Sequence, residues 1–125
     1  MITLSQEQIR RLHRKMIEAT GGLDGLRDEA MLDSALSAAF QTFDSIELYP
    51  STTAKIARIA YGLVCNHPFL DGNKRIGTYV MLVLLELNRI EVEFTDDDII
   101  RIGLELADRK LSDKQLLDII LEHSK

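Results

Sequence analysis

The sequence predicts an all-α, single-domain protein: a helical bundle around one buried central helix, with a short flap and no substantial sheet. Three observations carry this prediction. Apolar residues recur at three- and four-residue spacing through most of the chain. Ser5/Gln8, Thr95/Asp98 and Ser112/Gln115 each pair a hydroxyl with an amide or carboxyl side chain three residues on, which marks a helix start. The run Ile76 to Leu85 is apolar on nearly every side. At ten residues it is too short for a bilayer, which needs about 20, so it reads as a helix enclosed by the others.

The first helix begins at Ser5, where Leu4 can staple onto Ile9, and its inner stripe is Ile9, Leu12, Met16 and Ile17. Gly21-Gly22 ends it. A second helix runs from about Asp28, with Met31, Leu32, Ala35, Leu36, Ala39 and Phe40 facing inward. Residues 42–50, TFDSIELYP, lose the helical period. Ile46, Leu48 and Tyr49 give them strand character, which predicts an extended flap. Ser51, after Pro50, opens a third helix that reaches about Asn66, with Ala54, Ala57, Ala60, Tyr61 and Val64 on its inner side. The fourth, from near Asn73 to about Leu87, is the expected central helix. IEVEF at 90–94 alternates like a short extended piece. A fifth helix from Thr95 to about Asp108 and a sixth from Ser112 follow. No linker, repeat or low-complexity stretch interrupts the chain, so residues 1–125 read as one domain.

The bulk properties set limits. A chain of 125 residues builds one core. With 46% apolar and 28% charged residues it has the profile of a globular domain. A net charge of −5 argues against direct nucleic-acid binding, which calls for a basic face. The single cysteine, Cys65, permits no internal disulfide and fits a reducing, cytoplasmic setting. MITLSQEQIRRL lacks the basic-then-apolar layout of a signal peptide, and no membrane association is expected. His13 and His123 read as surface residues, and Cys65 as a buried thiol. Asp96, Asp97 and Asp98 read as the acidic first turn of a helix rather than a metal cluster.

Chemistry concentrates in NHPFLDGNKRIG, residues 66–77. Pro68 stops the third helix, and Gly72 allows a tight turn with close approach of a ligand. The first amides of the fourth helix, at Gly72, Asn73, Lys74 and Arg75, have no partner inside it, and the helix dipole is positive there, which suits phosphate. Lys74 and Arg75 add positive charge, although cations in a helix's first turn oppose the dipole unless an anion is bound. Asp71 beside a phosphate would favour Mg²⁺. His67 faces the same space and can accept a proton from a hydroxyl near neutral pH. From chemistry alone, a plain capped turn, with Asp71 or Asn73 as the cap, stands level with a phosphate-handling site.

These residues resemble the Fic/Doc superfamily, whose pattern is His-Pro-Phe-x-(Asp/Glu)-Gly-Asn-Gly-Arg-x-x-Arg. Here His67, Pro68, Phe69, Asp71, Gly72, Asn73 and Arg75 match, while Lys74 and Thr78 replace the second glycine and last arginine. The Asn-Lys-Arg sequence is similar to the death-on-curing (Doc) toxin branch, as are GGLDGLRD at 21–28 and LLELNRI at 84–90. The resemblance implies a toxin of a type II toxin–antitoxin system. Such a toxin is an ATP- and Mg²⁺-dependent kinase that phosphorylates a threonine of elongation factor Tu and stops translation. The alternatives are AMP transfer of the ordinary Fic type and a silent module acting through its antitoxin.

By the same resemblance His67 is the base, Asp71 holds metal or orients the histidine, and Asn73, Lys74 and Arg75 with the Gly72 turn bind phosphates. Lys74 counts among the catalytic residues. Ile46, Leu48 and Tyr49 align the target segment. Where the branch has an arginine close before the histidine, this chain has Cys65 and Asn66, and Lys55 and Arg58 are the cations available to replace it. The inhibitory Fic pattern (Ser/Thr)-x-x-x-Glu-(Gly/Asn) finds only Thr3 and Glu7, followed by Gln8, which the first helix cap already explains. Inhibition is therefore expected from a separate antitoxin whose tail folds on this protein as a helix.

Overall fold

The three capping pairs form as their spacing requires. Ser5, Thr95 and Ser112 each accept a hydrogen bond from the amide three residues on, and the side chains of Gln8, Asp98 and Gln115 reach back to the cap amides. They start α1 (Gln6–Thr20), α5 (Asp96–Ala107) and α6 (Asp113–Glu122) in a computed structural model that describes residues 1–125. Between them lie α2 (Glu29–Ser37), capped by Asp28 and continued by a 3₁₀ turn at Ala38–Phe40, and α3 (Thr52–Cys65), capped by Ser51. α4 (Asn73–Leu87) follows. The protein is all-α apart from one hairpin, as expected. None of its helices is long and apolar enough to cross a membrane.

The centre of the bundle is α3, not α4. Ten of the 14 residues of α3 are buried, against seven of 15 in α4, and α3 packs on α2, α4, α5 and α6. The physical reason is side-chain size. Ala54, Ala57, Ala60 and Gly62 let neighbouring helices approach α3 closely. At the α3–α4 crossing Gly77 sits so near that an added Cβ would lie 2.4 Å from Val64 Cγ2. The surplus apolar surface of α4 does not enter the core. Tyr79 is exposed, and Leu82 and Val83 are only partly covered.

The flap predicted at 42–50 is a hairpin. β1 (Thr42–Phe43) pairs antiparallel with β2 (Ile46–Glu47). Asp44 and Ser45 between them both have positive φ, 51° and 64°, the pattern of a type I′ turn. Phe43, Ile46 and Leu48 are exposed. Tyr49 departs from that face: its hydroxyl donates to Asp113 Oδ2 at 2.7 Å, so it anchors the flap to α6. Lys55 holds the second strand through Glu47 Oε1 at 3.0 Å and the Tyr49 carbonyl. Phe40, expected inside, is exposed below this hairpin, with the Lys55 ammonium 5.9 Å from its ring centroid. The extended piece after α4 pairs with the chain's last residues: Glu93 donates to the His123 carbonyl and Lys125 to that of Glu91.

Candidate active site

α3 ends at Cys65, and the chain turns through His67, whose φ of +50° is a left-handed conformation unusual for a residue with a side chain. Such backbone strain persists only where surrounding contacts hold it, and here they come from the segment between α1 and α2. Arg27 donates from Nε to the His67 carbonyl at 2.6 Å and from Nη2 to the Asn66 carbonyl at 3.0 Å. The amides of Arg27 and Asp28 both donate to the Pro68 carbonyl, and Leu70 donates to that of Gly25. Only the carbonyl of His67 is so engaged. Its ring is exposed, which leaves it open to act as a base.

The motif then folds into the start of α4. Gly72, in the left-handed region at φ +76°, precedes a helix with no side-chain cap, whereas the other five α-helices each have one. The first intrahelical bond runs from Ile76 to the Gly72 carbonyl, so the amides of Asn73, Lys74 and Arg75 have no partner within the helix. The plain capped turn is thereby set aside: neither Asp71 nor Asn73 caps α4. The Asn73 side chain is spent otherwise. It accepts from the Phe69 amide at 2.9 Å and donates to the Phe69 carbonyl at 3.0 Å, locking the loop, and leaves only its backbone amide to offer to a ligand. The Gly72 amide is also taken, by Asp71 Oδ1 at 2.8 Å.

Asp71 is the charged hinge of the site. Its Oδ2 accepts from the Leu23 amide at 3.1 Å. That bond first, and the Gly72 amide second, hold its carboxyl below the usual aspartate value, with help from Arg75 and against partial desolvation. Gly22 lies directly beside it. An added Cβ there would come 2.6 Å from Asp71 Oδ2, and Gly22's φ of +117° excludes most other residues as well. Arg75 donates from Nη1 to Thr20 Oγ1 at 2.6 Å and to the Gly21 carbonyl at 3.1 Å, and its Nη2 lies 3.9 Å from Asp71 Oδ1. One end of the guanidinium is fixed to the end of α1 and the other faces the Asp71 carboxylate.

His67, Asp71, Gly72, Asn73, Lys74 and Arg75 line one open cleft of about 340 Å³, together with Val64, Leu70 and Ala107. Lys74 and Arg75 also line a second, more apolar cavity of about 790 Å³ between α1, α4 and α5. Its walls include Met16, Tyr79, Leu82, Val83, Ile99 and Ile100. The Lys74 stem lies on Gly103 of α5, where a Cβ would approach its Cγ to 2.9 Å. Thr78, one turn further, donates its hydroxyl to its own helix, at the carbonyls of Lys74 and Arg75. No three His, Cys, Asp or Glu residues gather as a metal site. Asp71, ionised and 45% exposed, fits a Mg²⁺ ion that takes one carboxylate and completes its shell from phosphate oxygens and water.

Several expectations are corrected. His13 is not a surface residue but fully buried, stacked on Phe69 with ring centroids 3.9 Å apart, its Nε2 2.7 Å from the Asp71 carbonyl. The signal was present in the spacing: His13 lies four after Ile9 and three before Met16, on the apolar stripe itself. His123 is half-buried against Phe94. Lys55 and Arg58 do not line the cleft. Lys55 serves the flap, and Arg58 lies between Tyr49, Tyr61 and Asp113. Arg27, whose role no spacing announced, supplies the cation nearest the histidine's backbone, as a brace rather than a phosphate ligand. Cys65 is buried, and burial pushes its thiol up, away from nucleophilic reactivity. Glu7 is exposed and pairs with Arg11 at 3.2 Å, away from the cleft.

Comparison with known proteins matches residues 3–85 to the Fic/DOC family. That span holds every side chain of the cleft except Ala107. A protein of Mycolicibacterium smegmatis (strain ATCC 700084 / mc(2)155) described as "Toxin Doc" is 31% identical over 74 residues. The aligned stretch covers 59% of this chain and 57% of the relative, so the likeness spans little more than half of either.

Proposed function

The chain belongs to the Fic/DOC family, and on that premise we propose that it is a toxin: a protein kinase that phosphorylates a threonine of elongation factor Tu with ATP, and that a cognate antitoxin restrains. The observation that carries the kinase reading is the course of Lys74. Its stem packs on Gly103 of α5, so that Lys74 stands between the cleft and the larger cavity, while Thr78 turns its hydroxyl to its own backbone. AMP transfer needs room and a second cation there for the outgoing pyrophosphate. Here Lys74 takes up part of that room, and Thr78 brings no charge of its own. The name of the M. smegmatis relative supports the toxin half of the reading.

The chemistry follows from the residues. The target hydroxyl oxygen attacks the γ-phosphorus, the bond to ADP breaks, and the hydroxyl proton passes to His67. The amides of Asn73, Lys74 and Arg75, with the two side-chain cations, stabilise the charge on the transferring group. Positioning and charge stabilisation are most of what phosphoryl transfer asks of a protein. Mg²⁺, held by Asp71 and the phosphates, would neutralise part of that charge. Ile46 and Leu48 on the exposed edge of the flap would align the target segment by strand pairing. The antitoxin would lay the apolar face of a folding helix into the cavity between α1, α4 and α5, beside Lys74 and Arg75.

The test is expression in cells from an inducible promoter. The protein alone should arrest growth and translation, co-expression with its antitoxin should restore both, and the two should purify together. A chain that is harmless alone and copurifies with no partner would remove the toxin–antitoxin reading.

A further inference from the structure

We propose that His13 is a positioning residue for phosphate binding, which locks the peptide between Asp71 and Gly72 in the one orientation that the site uses. The inference rests on the phosphoryl-transfer reading of the cleft, but its structural core does not. His13 projects from the middle of α1 and is fully buried. A carbonyl oxygen only accepts, so Nε2 carries the hydrogen of the 2.7 Å contact with Asp71. Nδ1 is buried with no hydrogen-bond partner, 3.7 Å from Asp24 Oδ1. Leucine would fill such a place without leaving a polar atom unpaired, which is costly. What imidazole adds is one donor on the Asp71 carbonyl and a flat face on Phe69, tilted 7° from its ring.

That carbonyl is well placed to matter. It shares a rigid plane with the Gly72 amide, and this amide donates to Asp71 Oδ1. Because Gly72 tolerates either sign of φ, nothing in its own conformation prevents the plane from turning over. Turned over, it would withdraw the Gly72 amide from Asp71 Oδ1 and loosen the carboxylate that lines the cleft beside the first amides of α4. The backbone restraints on the rest of the loop act earlier, at the carbonyls of Asn66, His67, Pro68 and Phe69 and at the amides of Phe69 and Leu70, and the amide side of this peptide is held only by the Asp71 carboxylate. His13 alone holds the carbonyl of Asp71.

The test compares the wild type with His13→Leu and His13→Gln, since the glutamine amide can place a donor near the position of Nε2. Amide hydrogen exchange is read without ligand at Phe69, Leu70 and Gly72, with α6 as the reference. In His13→Leu these three amides should exchange about tenfold faster while α6 is unchanged, and His13→Gln should restore most of the protection. Should His13→Leu fail to fold, His13→Asn, polar but too short to reach Asp71, is expected to show the same local loss. In the transfer assay His13→Leu should lower kcat by about 10–10²-fold at saturating ATP, the scale of a small misplacement, with His13→Gln recovering it. Unchanged exchange at the three amides in a folded His13→Leu, or a uniform rise that includes α6, would overturn the proposal and leave His13 as core packing. A wild type that transfers no phosphate would sink the kinase reading instead, and the exchange result would still decide the role of His13.

Discussion

At the scale of the residue the site is a division of labour that the motif's spelling conceals. Of its polar side chains, only His67 and Lys74 project without hydrogen bonds to the rest of the chain. Asn73 is consumed by Phe69, Asp71 is held by the amides of Leu23 and Gly72, and Arg75 is partly consumed by the end of α1. His67→Ala should therefore leave the fold intact and reduce transfer by about 10²–10⁴-fold, the usual contribution of a general base. Undiminished activity at equal protein level would exclude His67 from that role. Asp71 makes a separate prediction in pH. Its folded pKa is depressed, so its stabilising contribution is complete above the ordinary aspartate range and is lost as pH falls through the lower folded value. The difference in Tm between wild type and Asp71→Asn should be constant at neutral pH and shrink below about pH 4, where unfolded aspartates protonate. A difference that grows on acidification would mean that the amides of Leu23 and Gly72 do not hold the ionised form. His67, Asp71 and the cations were legible as types at a spacing. The buried His13 was misread because four of the five residues around it from Arg10 to Lys15 are cations, although its neighbours on the helix face are Ile9 and Met16.

Among the elements, helix starts were legible because capping is local: each box involves four consecutive residues and needs nothing from elsewhere. Which helix lies at the centre was not. Hydrophobicity pointed to α4, but burial follows from how closely helices can approach, and the small residues of α3 decide that. Gly77→Ala tests this crossing. The new methyl meets Val64 and the Ala60 carbonyl, and overpacking of this kind should cost about 1–3 kcal/mol in urea denaturation, with little change in helix content. An unchanged midpoint would show that α3 and α4 have slack that the distances deny. The flap's extended character could be read from its lost helical period. That Tyr49 turns inward could not, because its partner Asp113 lies 64 residues away.

Across the whole molecule, the apolar surplus of α4 and the uncapped start of the same helix open two cavities that share Lys74 and Arg75. One helix thus borders an open polar cleft at its tip and a more apolar groove along its side. The resemblance to one branch of a family was readable from nine motif positions. The braces from residues 22–28 that hold those positions were not, since they run mostly to backbone carbonyls between segments some 40 residues apart. The central claim is the direction in which the cleft uses ATP. Purified protein, elongation factor Tu and Mg²⁺ would be incubated with ATP labelled at either the α or the γ phosphate, and the factor's intact mass would be read in parallel. The account predicts label from the γ position only, with a mass gain of a single phosphate. Label from the α position, with the mass of an added AMP, would contradict it.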